Sequence, residues 1–183
     1  VDGIDAALVS FDSNNRLRVI ETLFTEFDTE IRKKINQAAQ NNEHLRTNQD
    51  SPLHQLLAPI YASACITLLA KAGIPGSKIS CIATHGQTVK HEPQAKPPYS
   101  LQLGDGQTIA DLTSIKTYTQ FRQADLIAGG QGAPLMPAFH KSVFIDNASE
   151  RLEGENPTSS DNVFILNIGG IANVTHLKEP LIG

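Results

Sequence analysis

The chain has 183 residues, of which 40% are hydrophobic and 19% are charged, and its formal net charge is -4 at pH 7. This composition excludes a disordered chain and allows one domain or two small ones. The mild negative charge gives no reason to expect nucleic acid or an anionic membrane as a partner, and the apolar runs fall short of the roughly 18 residues expected of a membrane span.

The first part of the chain predicts strands followed by a helix. Residues 4–11, IDAALVSF, are apolar and rich in small side chains, which is typical of a buried strand. A turn is expected at 12–15, and the segment 16–27 could form a second and a third strand. The polar segment 28–42 favours a surface helix.

A longer helix follows, and the sequence marks both of its ends. Ser51 is a candidate cap, Pro52 suits the first turn, and Gly73 is expected to end the helix. Its apolar residues recur at helical spacing and predict one buried stripe: Leu53, Leu56, Leu57, Ile60, Ala64 and Leu68. Cys65 and Cys81 have apolar neighbours and no CxxC spacing, so both are expected to be reduced, buried thiols of a cytoplasmic protein.

The rest of the chain alternates predicted strands and helices, which indicates an α/β protein. We expect a strand in SKISCIATHG that ends in a turn at Gly86, then a strand and turn in YSLQLGDG and a helix in GQTIADLTS. The segment IKTYTQF is rich in residues that favour strands. A helix is expected after the glycines of AGGQGAPLMPAFHKSVF, and a hairpin in VFILNIGGIANVTHL.

Two glycine-bearing turns adjoin predicted strands, one at Gly3 and one at Gly169 and Gly170. Without a Cβ the backbone can approach a phosphate closely, and successive N–H groups can point at its oxygens. Asn167 and Asn173 add amide donors at the edges of the second turn. Taken alone, each turn is more typical of an ordinary β-hairpin in which glycine only satisfies a positive φ.

Carboxylates and a histidine supply further candidate ligands. Asp2 and Asp5 flank the first turn and could hold Mg²⁺ or its waters. His85 and Gln87 follow a predicted strand, where α/β proteins place ligand-binding groups. Asp105 in LQLGDG is either a turn residue or a polar wall of a pocket, and the sequence favours the turn.

The segment FRQADLIAGGQGAPLMPAFH is unusual in composition. Arg122 and Asp125 are three residues apart, so they could form an ion pair on one helix face or face a ligand together. The run from Gly129 through Gly130 and Gln131 suits close contact with a sugar or a phosphate. A hinge between two lobes is the competing interpretation.

Five motifs together resemble the anhydro-N-acetylmuramic acid kinase family. VDGIDAAL, ATHGQTVKHEP, LQLGD, FRQADLIAGGQGAPLMPAFH and LNIGGIANVT occur in the order and spacing of that family, across nearly the whole chain. The resemblance implies an actin-like sugar kinase fold with a ribonuclease H-like motif. Residues 1–125 would form the first lobe with the first phosphate loop, and residues 126–183 would begin the second lobe with the second phosphate-loop hairpin.

The resemblance also implies an activity. Such enzymes use ATP and Mg²⁺, open 1,6-anhydro-N-acetylmuramic acid with water, and phosphorylate the freed O6 to give N-acetylmuramic acid 6-phosphate in cell-wall recycling. Water attacks C1 while a carboxylate accepts its proton. The family's catalytic Asp opens a DTGPGN segment that is absent from these 183 residues, so the chain alone is expected to be inactive. A homodimer is a possible assembly.

The resemblance also implies which residues bind the ligands, with the phosphates of ATP held between the two glycine-bearing turns. The resemblance assigns ATP and phosphate binding to Val1, Asp2, Gly3, Ile4, Asp5, Asn167, Gly169, Gly170 and Asn173. It assigns sugar binding to His85, Gln87, Arg122, Asp125, Gly130 and Gln131. Gln120 stands where the family usually carries Asp. The alternative function is a non-catalytic muropeptide- or sugar-binding module; a hydrolase that uses His85 lacks a convincingly placed partner.

Overall fold

The structure is a computed structural model that describes residues 2–14, 16–146, 163–168 and 172–177. The chain divides into two compact units. Unit 1 comprises Val1–Ser10 and Arg18–Gly132, and unit 2 comprises Phe11–Leu17 and Ala133–Gly183.

The described chain mixes strands and helices, as the sequence predicts for an α/β protein, but neighbouring elements are often of the same kind, so the predicted alternation is incomplete. The strands are β1 (Gly3–Phe11), β2 (Leu17–Glu26), β3 (Ile82–Ala83), β4 (Gln87–Glu92), β5 (Tyr99–Leu103), β6 (Thr117–Tyr118), β7 (Val163–Ile168) and β8 (Ala172–Leu177). The α-helices are α1 (Thr29–Gln40), α2 (Leu53–Ala72), α3 (Gly106–Thr113), α4 (Phe121–Ile127) and α5 (Met136–Lys141).

The described strands form four sheets of two strands each: β1 with β2, β3 with β6, β4 with β5, and β7 with β8. The β3–β6 pair is parallel, whereas β4–β5 and β7–β8 are antiparallel. Two strand predictions were too generous. The segment expected to hold a second and a third strand is the single strand β2, and the strand expected in SKISCIATHG is reduced to the two residues of β3.

The core of unit 1 is built around α2. Leu57 on α2, Leu103 on β5 and Ile109 on α3 are fully buried and belong to one apolar cluster. The predicted stripe of α2 is confirmed at Leu53, Leu57, Ala64 and Leu68, but Leu56 is 39% exposed. Cys65 on the same helix is half-buried, and this burial raises the pKa of its thiol, whereas Cys81 is exposed and the prediction that it is buried was wrong.

Only one of the two predicted ends of α2 is confirmed. Gly73 adopts a left-handed conformation with φ of 65° and ends the helix as predicted. At the other end Pro52 occupies the cap position without a side-chain hydrogen bond, so the cap expected from Ser51 was wrong. The Ser51 carbonyl accepts a hydrogen bond from the His54 amide at 2.9 Å.

By length and composition alone, helix α2 could cross a membrane: it has 20 residues and a mean hydropathy of 1.5. The expectation that every apolar run is too short was therefore wrong. The buried core helix of a globular domain passes the same test, and α2 contributes Leu57, Ala58 and Tyr61 to the core cluster of unit 1.

Helix α1 confirms the predicted surface helix. The Asp28 carboxylate accepts a hydrogen bond from the Ile31 amide at 2.7 Å and caps the helix. Ile31 and Ile35 are buried beneath it.

In unit 2 the predicted hairpin is confirmed as strands β7 and β8, which pair in register from Val163 opposite Leu177 to Ile168 opposite Ala172. A hydrogen bond of 3.0 Å between His140 Nδ1 and Thr175 Oγ1 ties α5 to β8. These strands were expected to be buried, but Ile168 is 74% exposed.

Strand β1 buries Leu8 but exposes Val9, because a two-stranded sheet is covered on one face only.

Candidate functional site

A polar pocket of about 180 Å³ lies within unit 1, where several turns meet at the start of α2. The turn between β3 and β4, the turn between β5 and α3, the residues just before α4, and the short 3-10 turn Asn48–Asp50 all contribute. The lining residues are Asn48, Gln49, His54, His85, Gly86, Gln102, Gly104, Asp105, Gly106, Gln107, Thr119 and Gln120. The sequence predicts two of these positions as possible pocket residues, His85 and Asp105.

One wall is the turn between β5 and α3, which α2 holds in place. The Gly104 N–H donates to His54 Nδ1 at 3.2 Å, and the Asp105 N–H donates to the His54 carbonyl at 3.0 Å. Asp105 then caps α3, because Oδ2 accepts from the Thr108 amide at 3.0 Å and from its hydroxyl at 2.6 Å. Both interpretations of Asp105 therefore hold: it is a turn residue and also a polar wall of the pocket.

A buried histidine and a carboxylate form the electrostatic centre of this wall. His54 Nε2 lies 3.6 Å from Asp105 Oδ1, and the histidine side chain is only 5% exposed. Burial lowers the pKa of His54, and the Asp105 charge opposes that effect in part. The Thr108 hydrogen bonds are the main cause that lowers the pKa of Asp105. At neutral pH the site thus pairs a neutral imidazole with a carboxylate, and the Gly104 contact at Nδ1 places the ring proton on Nε2.

A second part of the pocket lining, the turn between β3 and β4, contains Gly86. Gly86 has a φ of +69°, and its amide donates to Thr84 Oγ1 at 3.2 Å, which confirms the predicted turn. A Cβ at Gly86 would lie 2.5 Å from the Leu103 carbonyl oxygen, so a side chain would push the turn away from β5. His85, which precedes this glycine, is exposed and also lines the pocket.

Two buried amide side chains face different situations at the pocket. Gln102 is 4% exposed, and its Nε2 donates to Ser100 Oγ at 2.7 Å. Ser100 Oγ in turn lies 3.0 Å from His91 Nδ1. Asn48 is 8% exposed, yet its Oδ1 is buried without a hydrogen-bond partner.

The glycine run forms a separate local structure after α4. Asp125 Oδ2 accepts from the Gly132 amide at 2.7 Å, and the Asp125 carbonyl accepts from the Gly130 amide at 2.8 Å. A side chain at Gly130 would collide with the Asp125 carboxylate. Among the described residues Asp125 and Arg122 form no ion pair, so this carboxylate fastens the loop instead.

The sugar-site predictions therefore fall in different places. His85 lines the pocket, whereas Arg122, Asp125, Gly130 and Gln131 are not among its lining residues. Gln131 Oε1 accepts a long hydrogen bond of 3.4 Å from Gln94 Nε2. Gln87, the first residue of β4, donates from Nε2 to the Thr88 carbonyl at 3.1 Å and is also absent from the lining.

The first predicted phosphate loop is part of a strand. Gly3 begins β1, so the prediction of a turn at Gly3 was wrong; a side chain there would collide with the Thr25 carbonyl of β2. Ile4 packs against the core, and Asp5 is exposed on the other face. Asp2 lies just before β1 and Asp5 lies within it, so strand alternation does not place the two carboxylates on one shared face, and their assignment to Mg²⁺ stays a prediction. The described residues contain no group of three or more metal-binding side chains.

At the second predicted phosphate loop, Asn167 and Asn173 are exposed and directly opposite each other in the β7–β8 ladder. The next pair along the ladder, Ile168 opposite Ala172, is the last described pair of the hairpin. Val1, Gly169 and Gly170 lie outside the described residues. The assignment of phosphate binding to these positions stays a prediction.

Sequence reasoning missed the buried part of the pocket. His54 lies in the first turn of an apolar helix, and a polar residue among apolar neighbours there was the available signal. Asn48 and Gln102 gave no such signal, because amide side chains are common in loops and strands alike. Gln120, which has a left-handed φ of 61°, also lines the pocket.

Comparison with known proteins identifies a family of kinases that this chain resembles over nearly its whole length. The family model for anhydro-N-acetylmuramic acid kinase matches residues 1–181. The chain is 38% identical to the Xylella fastidiosa enzyme of that name, over 100% of this chain and 46% of that protein. It is 40% identical to the Coxiella burnetii enzyme, over 98% and 44%, and 37% identical to the Vibrio vulnificus enzyme, over 100% and 46%.

The chain therefore belongs to the anhydro-N-acetylmuramic acid kinase family, and the resemblance seen in its five motifs is confirmed. It spans less than half the length of the curated relatives that it matches.

Proposed function

We propose that the chain is part of an ATP-dependent kinase that opens 1,6-anhydro-N-acetylmuramic acid with water and phosphorylates the freed O6. The product would be N-acetylmuramic acid 6-phosphate, formed in the cytoplasm during peptidoglycan recycling. The observation that supports this most strongly is the family match over residues 1–181. An actin-like sugar kinase fold, divided into lobes at about residue 125, is part of the same proposal.

The pocket of unit 1 is our candidate for the sugar site. Its volume of about 180 Å³ is smaller than the ~300–1,000 Å³ typical of drug-sized ligands, which favours a single sugar over a nucleotide. Amide side chains dominate its polar lining, and they donate and accept hydrogen bonds without a charge. Such groups suit the hydroxyl and acetamido groups of a sugar ring.

Asp105 would position this site rather than act as the general base. Its carboxylate already accepts two hydrogen bonds from Thr108, and its pKa is lowered, so it holds a proton poorly near neutral pH. The base that takes the proton of the attacking water would be another carboxylate. The family's catalytic Asp, in a segment absent from these 183 residues, is the candidate.

ATP would supply the phosphoryl group, and Asn167 and Asn173 are our candidates to donate hydrogen bonds to its phosphates. Mg²⁺ is usually held by substrate phosphates together with one or two carboxylates. Asp2, just before β1, and Asp5, within it, are the carboxylates that the sequence offers for this ion.

The test uses this chain continued by the remaining part of the Coxiella burnetii relative. With MgATP and the anhydro sugar, we expect N-acetylmuramic acid 6-phosphate and ADP in equal amounts, measured by mass spectrometry. His85→Ala should lower kcat/KM at least about tenfold, the loss of one or two sugar hydrogen bonds. His44→Ala removes an exposed histidine outside the pocket and is the matched control.

A protein that binds MgATP but forms no phosphorylated sugar would contradict the proposal. Sugar binding without any thermal shift from millimolar MgATP would instead indicate a non-catalytic sugar-binding module. That alternative is not favoured, because the named relatives are kinases.

A further inference from the structure

Asn48 is the buried polar residue of the pocket whose hydrogen bonding is incomplete. Three buried polar side chains line the pocket: Asn48, His54 and Gln102. His54 accepts from the Gly104 amide, and Gln102 donates to the Ser100 hydroxyl. Asn48 Oδ1, in contrast, is shielded from solvent and has no partner.

An unpaired buried carbonyl oxygen is costly, because it has lost its water without gaining another hydrogen bond. In Asn42, a second asparagine of unit 1, the side-chain nitrogen is paired: Nδ2 donates to the Val89 carbonyl at 2.7 Å and to the Ala39 carbonyl at 2.9 Å. In native proteins an exception to this rule calls for an explanation, and a ligand is one. Asn48 lines the polar pocket, and a rotation of its side-chain amide would bring the shielded oxygen within reach of a ligand bound there.

We propose that Asn48 determines specificity by binding the acetamido group of the sugar, an inference that rests on the proposed sugar site. The side-chain amide of asparagine carries one acceptor and two donors in a plane, and a rotation by 180° exchanges the oxygen and the nitrogen. An acetamido group carries the complementary pair, an N–H donor and a carbonyl acceptor. A hydroxyl group at the same sugar carbon satisfies at most part of this pair.

The proposal predicts opposite effects on stability and on binding. Asn48→Leu replaces an unpaired polar group by an apolar one of similar size, so the unliganded chain should keep or raise its Tm. The same substitution should remove the preference for the acetamido group. Asn42→Leu is the matched control: it breaks two existing hydrogen bonds outside the pocket, so it should lower the Tm and leave the sugar preference unchanged.

The experiment measures binding of two probes to the 183-residue chain by NMR titration: 1,6-anhydro-N-acetylglucosamine and 1,6-anhydroglucose, which differ only at C2. We expect the unaltered chain to bind the acetamido sugar about tenfold more tightly, and Asn48→Leu to bind both sugars within about twofold of each other. Asn48→Ala provides the same comparison if the leucine does not fit.

The outcomes separate this inference from the proposed function. An acetamido preference that survives in the Asn48 variants overturns the inference, and so does an equal loss of affinity for both sugars. A marked fall in Tm for Asn48→Leu, with the preference intact, would show that Asn48 has a purely structural role. If the unaltered chain binds neither sugar, the sugar site itself is wrong.

Discussion

Gly104→Ala should disrupt the pocket at its most constrained point. Gly104 has a φ of +117°, well outside the range that residues with a Cβ adopt, and a Cβ there would collide with the ring of buried Tyr61. Backbone strain of this kind costs about 1–3 kcal/mol, and forcing extra volume into a packed core costs about 1–3 kcal/mol more. We therefore expect a loss of about 3–4 kcal/mol in the free energy of unfolding.

For a chain of this size each kcal/mol lowers the Tm by about 2–4 °C, so Gly104→Ala should lower it by roughly 6–16 °C. Thermal unfolding followed by circular dichroism measures this shift. Hydrogen exchange at the Gly104 amide, which donates to His54 Nδ1, should quicken as the turn moves. Sugar binding should weaken in the same variant, because the moved turn forms one wall of the pocket.

Gly73→Ala is the control for Gly104→Ala. Gly73 also has a positive φ, +65°, but nothing lies within 4 Å of a Cβ there, so its cost should be backbone strain alone, about 1–2 kcal/mol. In a Tyr61→Leu background the steric part of the Gly104→Ala cost should shrink, which a double-mutant cycle measures. Equal costs for Gly73→Ala and Gly104→Ala would refute the steric argument.

Two further predictions concern other parts of unit 1. Burial lowers the pKa of His54, so the unfolded state binds more protons, and the free energy of unfolding should fall as the pH drops below about 6.5. Chemical denaturation from pH 8 to pH 5 should show this loss, and His54→Gln should make the free energy of unfolding depend less on pH. Gly130→Ala should displace the Asp125 carboxylate from the Gly132 amide and lower the free energy of unfolding by about 1–2 kcal/mol. In an Asp125→Ala background the same substitution should cost clearly less. An equal cost in both backgrounds would contradict this contact.

Local signals in the sequence predicted most elements of the fold. The end of α2 at Gly73 is confirmed because a left-handed residue without a Cβ ends a helix at little cost, and the information is local. The prediction of burial was weaker. Ile168 and Val9 are apolar, but their exposure depends on which face of a two-stranded sheet is covered, and no local pattern states this.

The motifs within the sequence determined the family, and they predicted that His85 belongs to a ligand-binding turn. Only the tertiary structure decided the rest of the site. His54 and Asp105 are 51 residues apart in the chain, and they meet because α2 packs against the turn that begins α3. Long-range packing of this kind also brings Asn48 to the pocket and leaves its oxygen unpaired. A side chain's burial and its missing partner are properties of the whole unit, so the sequence of a single segment cannot specify them.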